Sequence, residues 1–548
     1  MTTLDTLSIE ILQEIFSSIH DTSRQTIFSL LRVSRNMHEA AIPFVYRDLA
    51  FDFNHQINRS APTTDSTPPP YTRSLERLTW LLNLPPDCVV WKSVKRVAVW
   101  SKNDDLSART NNSEEDLHTK WLPFVNFLSR VVNIREFTFR CSEPVPLILL
   151  NILEENHPSC ELHVKGWTRA SVDLEVGDPS EEALARSPCL RSIEAYMQLN
   201  HPGEINLTEA AFRRILALSP NLQAARFGDR SRGFCGNGYQ SVPAERWGKI
   251  AREEERFKVG DPVRKAAMKT IRWDRAGLDT IQFWETFAVL RNVIELHVEV
   301  ISDVCWMEYA LENESFTGVK RLSLRLAHFP RDESDKARFQ SVLGELLDSF
   351  SSLEYLRINN FHDYISLPSI LSHHGERLRS LTLLQVSGSS RPAPTTTDLD
   401  LIRLEAPGLT HLGIDIDLTA DPEKSELEIY RIISSFPALR TLAIHYSFPQ
   451  DPLKYYFGRT ERDNGGPWSG HDYMLLNKAF AKKVWAAVHN RRLENLSLHI
   501  SNWCPDNREE IPIAWNSQKM GDRNTRMYVR RDERDELRGD MEALNYGF

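Results

Sequence analysis

The apolar positions of this chain follow two different grammars. In TLSIEILQEIFSSI, residues 6–19, Ile11, Leu12, Ile15, Phe16 and Ile19 recur at helical spacing and form one stripe. Glu10, Gln13, Glu14, Ser17 and Ser18 take the opposite face. The spacing predicts an amphipathic helix whose stripe needs a partner surface, inside the chain or outside it. Ile27, Leu30, Leu31, Met37, Ala41 and Phe44 continue the pattern as short packed helices, with Pro43 expected to interrupt the last of them. Residues 54–75 are polar and rich in Pro, Ser and Thr and read as a linker or exposed loop, so a first all-α domain is expected over 1–53.

Beyond residue 75 the pattern changes to a repeated apolar-x-x-apolar-x-apolar template. It runs around Leu322 and starts at Leu353, Leu378, Leu409, Leu439 and Leu493, with looser copies at Val94, Ile134, Leu190, Leu222, Met268 and Val293. Its last positions alternate, as a short strand with one buried face requires. Steps from Met268 through Val293, Val319, Leu353, Leu378 and Leu409 to Leu439 lie near the leucine-rich-repeat period of about 20 to 29 residues, with insertions. Helical segments such as 335–350, 425–436 and 477–490 fall between the strands. The expectation over 76–504 is therefore an α/β solenoid with parallel strands. A regular repeat of this kind carries Asn or Cys three residues after its third apolar position, where Phe361, Val386, Asp417 and Ser447 stand here. The solenoid should be irregular, and an ordinary α/β domain of parallel strands stays open as the alternative. Residues 505–548 read as a charged tail or cap, with RRDERDELRGDMEAL able to form a solvated helix through opposite charges at i+3 and i+4.

Composition narrows the function classes. The chain has 548 residues and a net charge of -9, too long for one core and too acidic for a general nucleic-acid or anionic-membrane binder. The first residues lack a basic stretch ahead of a long apolar core, and the apolar run 145–153 is too short to span a bilayer. An intracellular location, cytoplasmic or nuclear, is expected, with no membrane partner. The seven cysteines are scattered without a Cys-x-x-Cys pair, which favours buried thiols over disulfides or a zinc site.

Taken together, the two halves resemble an F-box protein of the fungal type followed by a leucine-rich-repeat-like array. The resemblance rests on Leu7, Glu10, Ile11, Leu12 and Ile15, then Val33-Ser34-Arg35, then the run Ala41-Ile42-Pro43-Phe44-Val45-Tyr46-Arg47-Asp48-Leu49. Where the family usually has a proline after its first leucine, Ser8 stands, and a serine can N-cap the same helix. The resemblance implies that Leu7, Ile11, Leu12, Ile15, Phe16 and Val33 meet the Skp adaptor, and through it the cullin scaffold, of an SCF-type ubiquitin ligase. The chain would then be a substrate receptor rather than an enzyme. The alternatives are that the stripe caps the chain's own repeats, or that the whole is an interaction scaffold outside ubiquitin ligation.

A receptor's specificity is expected on loops and on the strand face of the repeats. The stretches 229–262 and 449–474 stand out, and in the second Tyr455, Tyr456, Phe457, Arg459 and Trp468 are candidate substrate contacts of hot-spot type. The same aromatics could instead tuck the insertion onto the repeats. No catalytic residue, cofactor or metal site is expected: the chain has no P-loop, nucleophile elbow or His-Glu-x-x-His, and His373-His374 and His471-Asp472 read as solvated loop pairs.

Overall fold

The computed structural model describes residues 7–22, 24–53, 70–101, 114–141, 143–169, 179–197, 208–229, 265–273, 277–301, 304–326, 332–351, 353–359, 365–384, 394–417, 422–447, 484–489, 492–500, 526–531 and 537–542. It is α/β, and its chain divides into two compact units: 1–231 with 238–268 and 286–288, and 232–237 with 269–285 and 289–548.

The first unit opens on three helices, Ile9–Thr22, Arg24–Leu30 and Arg35–Val45. The Leu12 amide donates to the Ser8 carbonyl, so the first helical turn starts at the serine. Ser34 caps the third helix by accepting from the Met37 amide. Pro43 does not interrupt that helix, which runs on to Val45. The proline lies two residues from the helix end, so the hydrogen bond it forgoes belongs to the fraying last turn.

Six parallel strands follow in this unit: β1 (Asp48–Asp52), β2 (Arg96–Ser101), β3 (Glu136–Cys141), β4 (Glu161–Trp167), β5 (Leu190–Met197) and β6 (Ala224–Asp229). Each pairs with the one before it in sequence. β1 follows the third helix directly, so the end of the stretch read as a separate first domain is already part of the sheet. The next helix, Pro70–Leu82, begins inside the stretch read as linker. The core of the first repeats is aromatic: Phe51, Trp121, Phe124, Phe127, Phe137 and Phe139 are buried, and the Phe51 and Phe124 rings meet edge to face at 5.4 Å.

The second unit carries β7 (Thr270–Trp273), β8 (Glu295–Ile301), β9 (Arg321–Leu326), β10 (Tyr355–Asn359), β11 (Ser380–Leu384), β12 (His411–Asp417), β13 (Thr441–Ser447) and β14 (Asn495–Ile500), parallel and in order. Leu322, Leu356, Leu381, Leu412, Leu442 and Leu496 stand opposite one another across adjacent strands and form a buried leucine stripe. Each fully buried leucine contributes about 1.5–3 kcal/mol relative to an exposed one. Successive helices, Cys305–Glu312, Glu333–Ser349, Leu367–His374, Thr396–Glu405 and Pro422–Ser434, pack side by side, and their apolar faces close the core. In each unit this is the repeated strand-and-helix order of a solenoid-like α/β fold.

At the C-terminus, β15 (Arg526–Arg531) and β16 (Leu537–Glu542) replace the expected solvated helix with two antiparallel strands, β15 pairing with β14. Met527, Tyr528 and Val529 favour a strand, and Gly539, which faces Val529 across the pair, weakens a helix at its centre.

The helix-to-strand turns hold the repeats in register. The Lys95 carbonyl accepts the Arg135 and Glu136 amides at 2.8 and 3.2 Å, and the Lys320 carbonyl those of Glu354 and Tyr355 at 2.8 and 3.1 Å. The same double acceptance recurs at Arg47, Lys269, Ile294, Glu354, Arg379, Thr410 and Arg440. Side-chain donors of varied type add a second layer. His157 Nε2 donates to the Leu128 carbonyl and His374 Nε2 to that of Leu347, both at 3.0 Å. Ser219 reaches the Ala185 carbonyl and Asn221 that of Pro188. Arg377 reaches the Ser351 carbonyl. The strands are accordingly regular except for register shifts between β4 and β5 and between β8 and β9.

Candidate functional site

The three-helix segment closes a core of its own. Leu12, Phe16, Ile27, Met37, Ala40, Ala41 and Phe44 are buried together, with the Phe16 and Phe44 rings edge to face at 6.4 Å. This divides the six residues of the first-helix reading. Leu12 and Phe16 face inward and belong to folding. Leu7 and Ile15 are half-buried at the margin of the core. Ile11 and Val33 are turned outward, 47% and 63% exposed.

Phe28, which the sequence reading passed over, is also outward at 46%. The available signal was its neighbour: Ile27 already belongs to the packed pattern, and Phe28 lies about 100° further round the helix. Three of the ten large hydrophobic side chains exposed among the described residues thus fall between Ile11 and Val33.

The turn that carries Val33 is fixed on both sides. The Val33 amide donates to the Leu30 carbonyl, Ser34 caps the next helix, and His38 Nδ1 donates to the Leu31 carbonyl at 3.0 Å. Charged side chains border the apolar positions: Arg35 and Glu39 pair at 3.0 Å, and the Glu10 carboxyl is held below its usual range by hydrogen bonds to its own backbone and to Ser8. The first helix packs on the second and third, and it is the third that meets the short helix Val89–Ser93. Tyr46 just beyond it stacks on Trp80 at 6.3 Å. The outward face of the first helix is therefore not the surface that joins these helices to the first repeat.

The other sequence candidates separate in the same way. Tyr455, Tyr456, Phe457, Arg459 and Trp468 lie outside the described residues, as do the insertion 230–262 and the pair His471-Asp472. His374 is not a solvated loop histidine: it ends the helix Leu367–His374 and is 1% exposed. Cys141, Cys160 and Cys189 are buried free thiols, and burial pushes the Cys141 and Cys160 thiols well up; Cys305 departs from the expectation by being exposed. Among the described residues no group of three or more His, Cys, Asp or Glu side chains could hold a metal ion, and no helix is long and apolar enough to cross a membrane.

No protein-family model matches the chain, and no curated protein matches it.

Proposed function

We propose that this chain is an F-box-type substrate receptor, in which the N-terminal helices dock the Skp adaptor of a cullin-RING ubiquitin ligase and the repeats present a protein substrate. The observation that carries the reading is the outward trio Ile11, Phe28 and Val33 on a helical segment whose core is already complete without them. Exposed apolar side chains with charged neighbours, as Glu10 stands beside Ile11 and Arg35 follows Val33, suit a protein-docking surface. The Val-Ser-Arg turn and the Ala-Ile-Pro-Phe-Val-Tyr-Arg run of the resemblance both lie in this segment. No bond chemistry is required of the chain; its work is to raise the local concentration of a target.

The test is a pull-down of the purified full chain with the Skp adaptor, comparing the native protein with Ile11→Asp plus Val33→Asp. Both positions are outward, so the variant should fold. It should lose binding, since a central apolar anchor is worth about 2 kcal/mol or more, roughly thirtyfold in affinity. Absence of binding by the native chain would leave an interaction scaffold without a ligase role.

A further inference from the structure

At the strand entries described above, the residue just ahead of a strand offers its carbonyl to two amides of the next repeat, so these residues stack at one level along the helix-to-strand margin. In the first unit three in succession are cationic. The Arg47 carbonyl accepts the Lys95 and Arg96 amides at 2.8 and 3.0 Å, and the Lys95 carbonyl accepts those of Arg135 and Glu136. Arg47, Lys95 and Arg135 therefore lead into the adjacent strands β1, β2 and β3, about 4.8 Å apart per step. Like charges stacked in this way repel one another. Burial holds the Lys95 ammonium below its usual value, and the Arg135 and Arg47 charges push it the same way.

The second unit shows how the same position is otherwise neutralised. There Lys320 pairs with Glu354 at 3.4 Å and Arg440 with Glu494 at 3.5 Å, each acid standing at the equivalent place on the next strand. The carboxylates near the three cations of the first unit are engaged elsewhere. Asp48 holds Arg96 through two bonds of 2.6 and 2.9 Å, Glu161 lies 4.0 Å from His163, and Glu136 stands opposite Arg96 on the strand face. Arg130 adds further positive charge on the turn ahead of β3, where its guanidinium lies 5.8 Å over the Trp91 ring. Two exposed apolar side chains flank the same turns. Val89, 45% exposed, opens the short helix that leads to β2, and Val132, 63% exposed, precedes β3. The Val132 amide donates to the Trp91 carbonyl at 3.1 Å, so the two segments are neighbours.

We propose that this cation ladder is a docking surface for an acidic, amphipathic α-helix of a partner protein, with carboxylates at i, i+4 and i+7 meeting Arg47, Lys95 and Arg135 and with apolar side chains meeting Val89 and Val132. Spacing decides the occupant. Seven residues of helix rise about 10.5 Å, and two steps across the strands cover about 9.6 Å. In an extended peptide the carboxylates of one face fall about 6.6 Å apart and are out of step by the third cation. A nucleic acid is disfavoured by the chain's net charge of -9, against which a short row of cations offers few phosphate contacts. The inference goes beyond the receptor reading and is measured without the adaptor.

The experiment is fluorescence anisotropy of the full chain with a labelled alanine-rich helical peptide that carries glutamates at i, i+4 and i+7 and leucines beside them. Three further probes carry the same label: the same residues reordered so that the glutamates point round the helix, the same peptide with a central proline, and an oligo-deoxythymidine. The first peptide should bind, weaken with salt and lose about tenfold or more in affinity in Lys95→Gln plus Arg135→Gln. Both substitutions relieve repulsion and leave the backbone hydrogen bonds in place, so the fold should hold. Lys320→Gln plus Arg440→Gln removes the same charge from the paired positions of the second unit and should leave binding unchanged. Should the first variant not fold, Lys95→Glu alone installs the cation-acid alternation of the second unit and should abolish binding. No binding by the native chain, equal binding of the reordered or proline-bearing peptide, equal loss in the second-unit variant, or oligo-deoxythymidine binding as tightly with the same sensitivity would each overturn the proposal. Failure here leaves the receptor reading as it was, and a native chain that does not bind the adaptor leaves this surface standing.

Discussion

The N-terminal helices and the strand-helix repeats solve the burial problem in opposite ways. The helices close a core within themselves, Leu12 and Phe16 on Met37, Ala41 and Phe44, and leave Ile11, Phe28 and Val33 outside. A repeat cannot do this: Leu356 finds its neighbours on β9 and β11, and its core exists only because the repeats before and after are present. One region is self-sufficient inside and unfinished outside, while the other depends on its neighbours throughout. Residues of identical chemistry thus report different things, and burial rather than apolarity separates folding residues from docking residues.

The sharpest way to break this contrast is to damage each region and see how far the loss travels. Leu12→Asp should unfold the helical segment, because it places an uncompensated carboxylate at a position with no exposure. The loss should stay local: helical proteolytic protection disappears at residues 7–45 while the second unit keeps its hydrogen-exchange protection. Loss of protection throughout the chain would mean that the helices are not self-sufficient.

Next in size is the ion pair in the repeats of the first unit. Arg169 and Glu181, 1% and 7% exposed, are joined by two bonds of 2.7 and 3.1 Å. Glu181→Ala should cost about 3–5 kcal/mol in denaturant unfolding by taking its carboxylate from a buried guanidinium, and the loss should spread to neighbouring strands. Glu354→Ala, which removes an exposed partner of Lys320, should stay within about 1 kcal/mol.

A smaller effect than that of the buried ion pair concerns the histidines that tie one repeat to the next. Burial pulls the His157 and His374 pKa values below the ordinary histidine value, and the carbonyl hydrogen bonds only partly oppose it. A folded pKa below the unfolded one means that the neutral ring is favoured. The stabilisation is complete above the unfolded value of about 6.5 and is lost as pH falls through the lowered folded values. Thermal midpoints should therefore drop between neutral and mildly acidic pH. His374→Gln should flatten that drop and cost about 1–3 kcal/mol at neutral pH. An unchanged pH profile would remove the histidines from the register mechanism.

Much of the scaffold was legible in the sequence because burial imposes one pattern. All twelve template starts, from Val94 to Leu493, lead into observed strands. The strands passed over show what hides a repeat. β4 has Cys160 at its leading buried position, one residue closer to the strand than the template allows, and β1 begins inside the run that carries the family resemblance. The donors at the turns were not legible, since histidine, serine, asparagine and arginine serve one purpose at equivalent places. Their common feature is the carbonyl they reach, which no residue type announces. The first-helix stripe was visible, but a period of 3.6 residues cannot say that Leu12 turns inward and Ile11 outward, because both lie within one broad apolar face.

The turns also differ from the opposite strand ends in how they treat chain length. Helices run into strands over short stretches, from Glu405 to His411 or from His374 to Ser380, whereas β13 ends at Ser447 and the next described helical residues begin at 484. The doubly accepting carbonyls that join neighbouring strands, from Arg47 to Arg440, sit on the short side. Such a scaffold has one conservative margin and one permissive margin. A lineage could lengthen, shorten or exchange the stretches at the permissive margin without disturbing the hydrogen bonds that count the strands, so novelty in recognition need not be bought with a new fold.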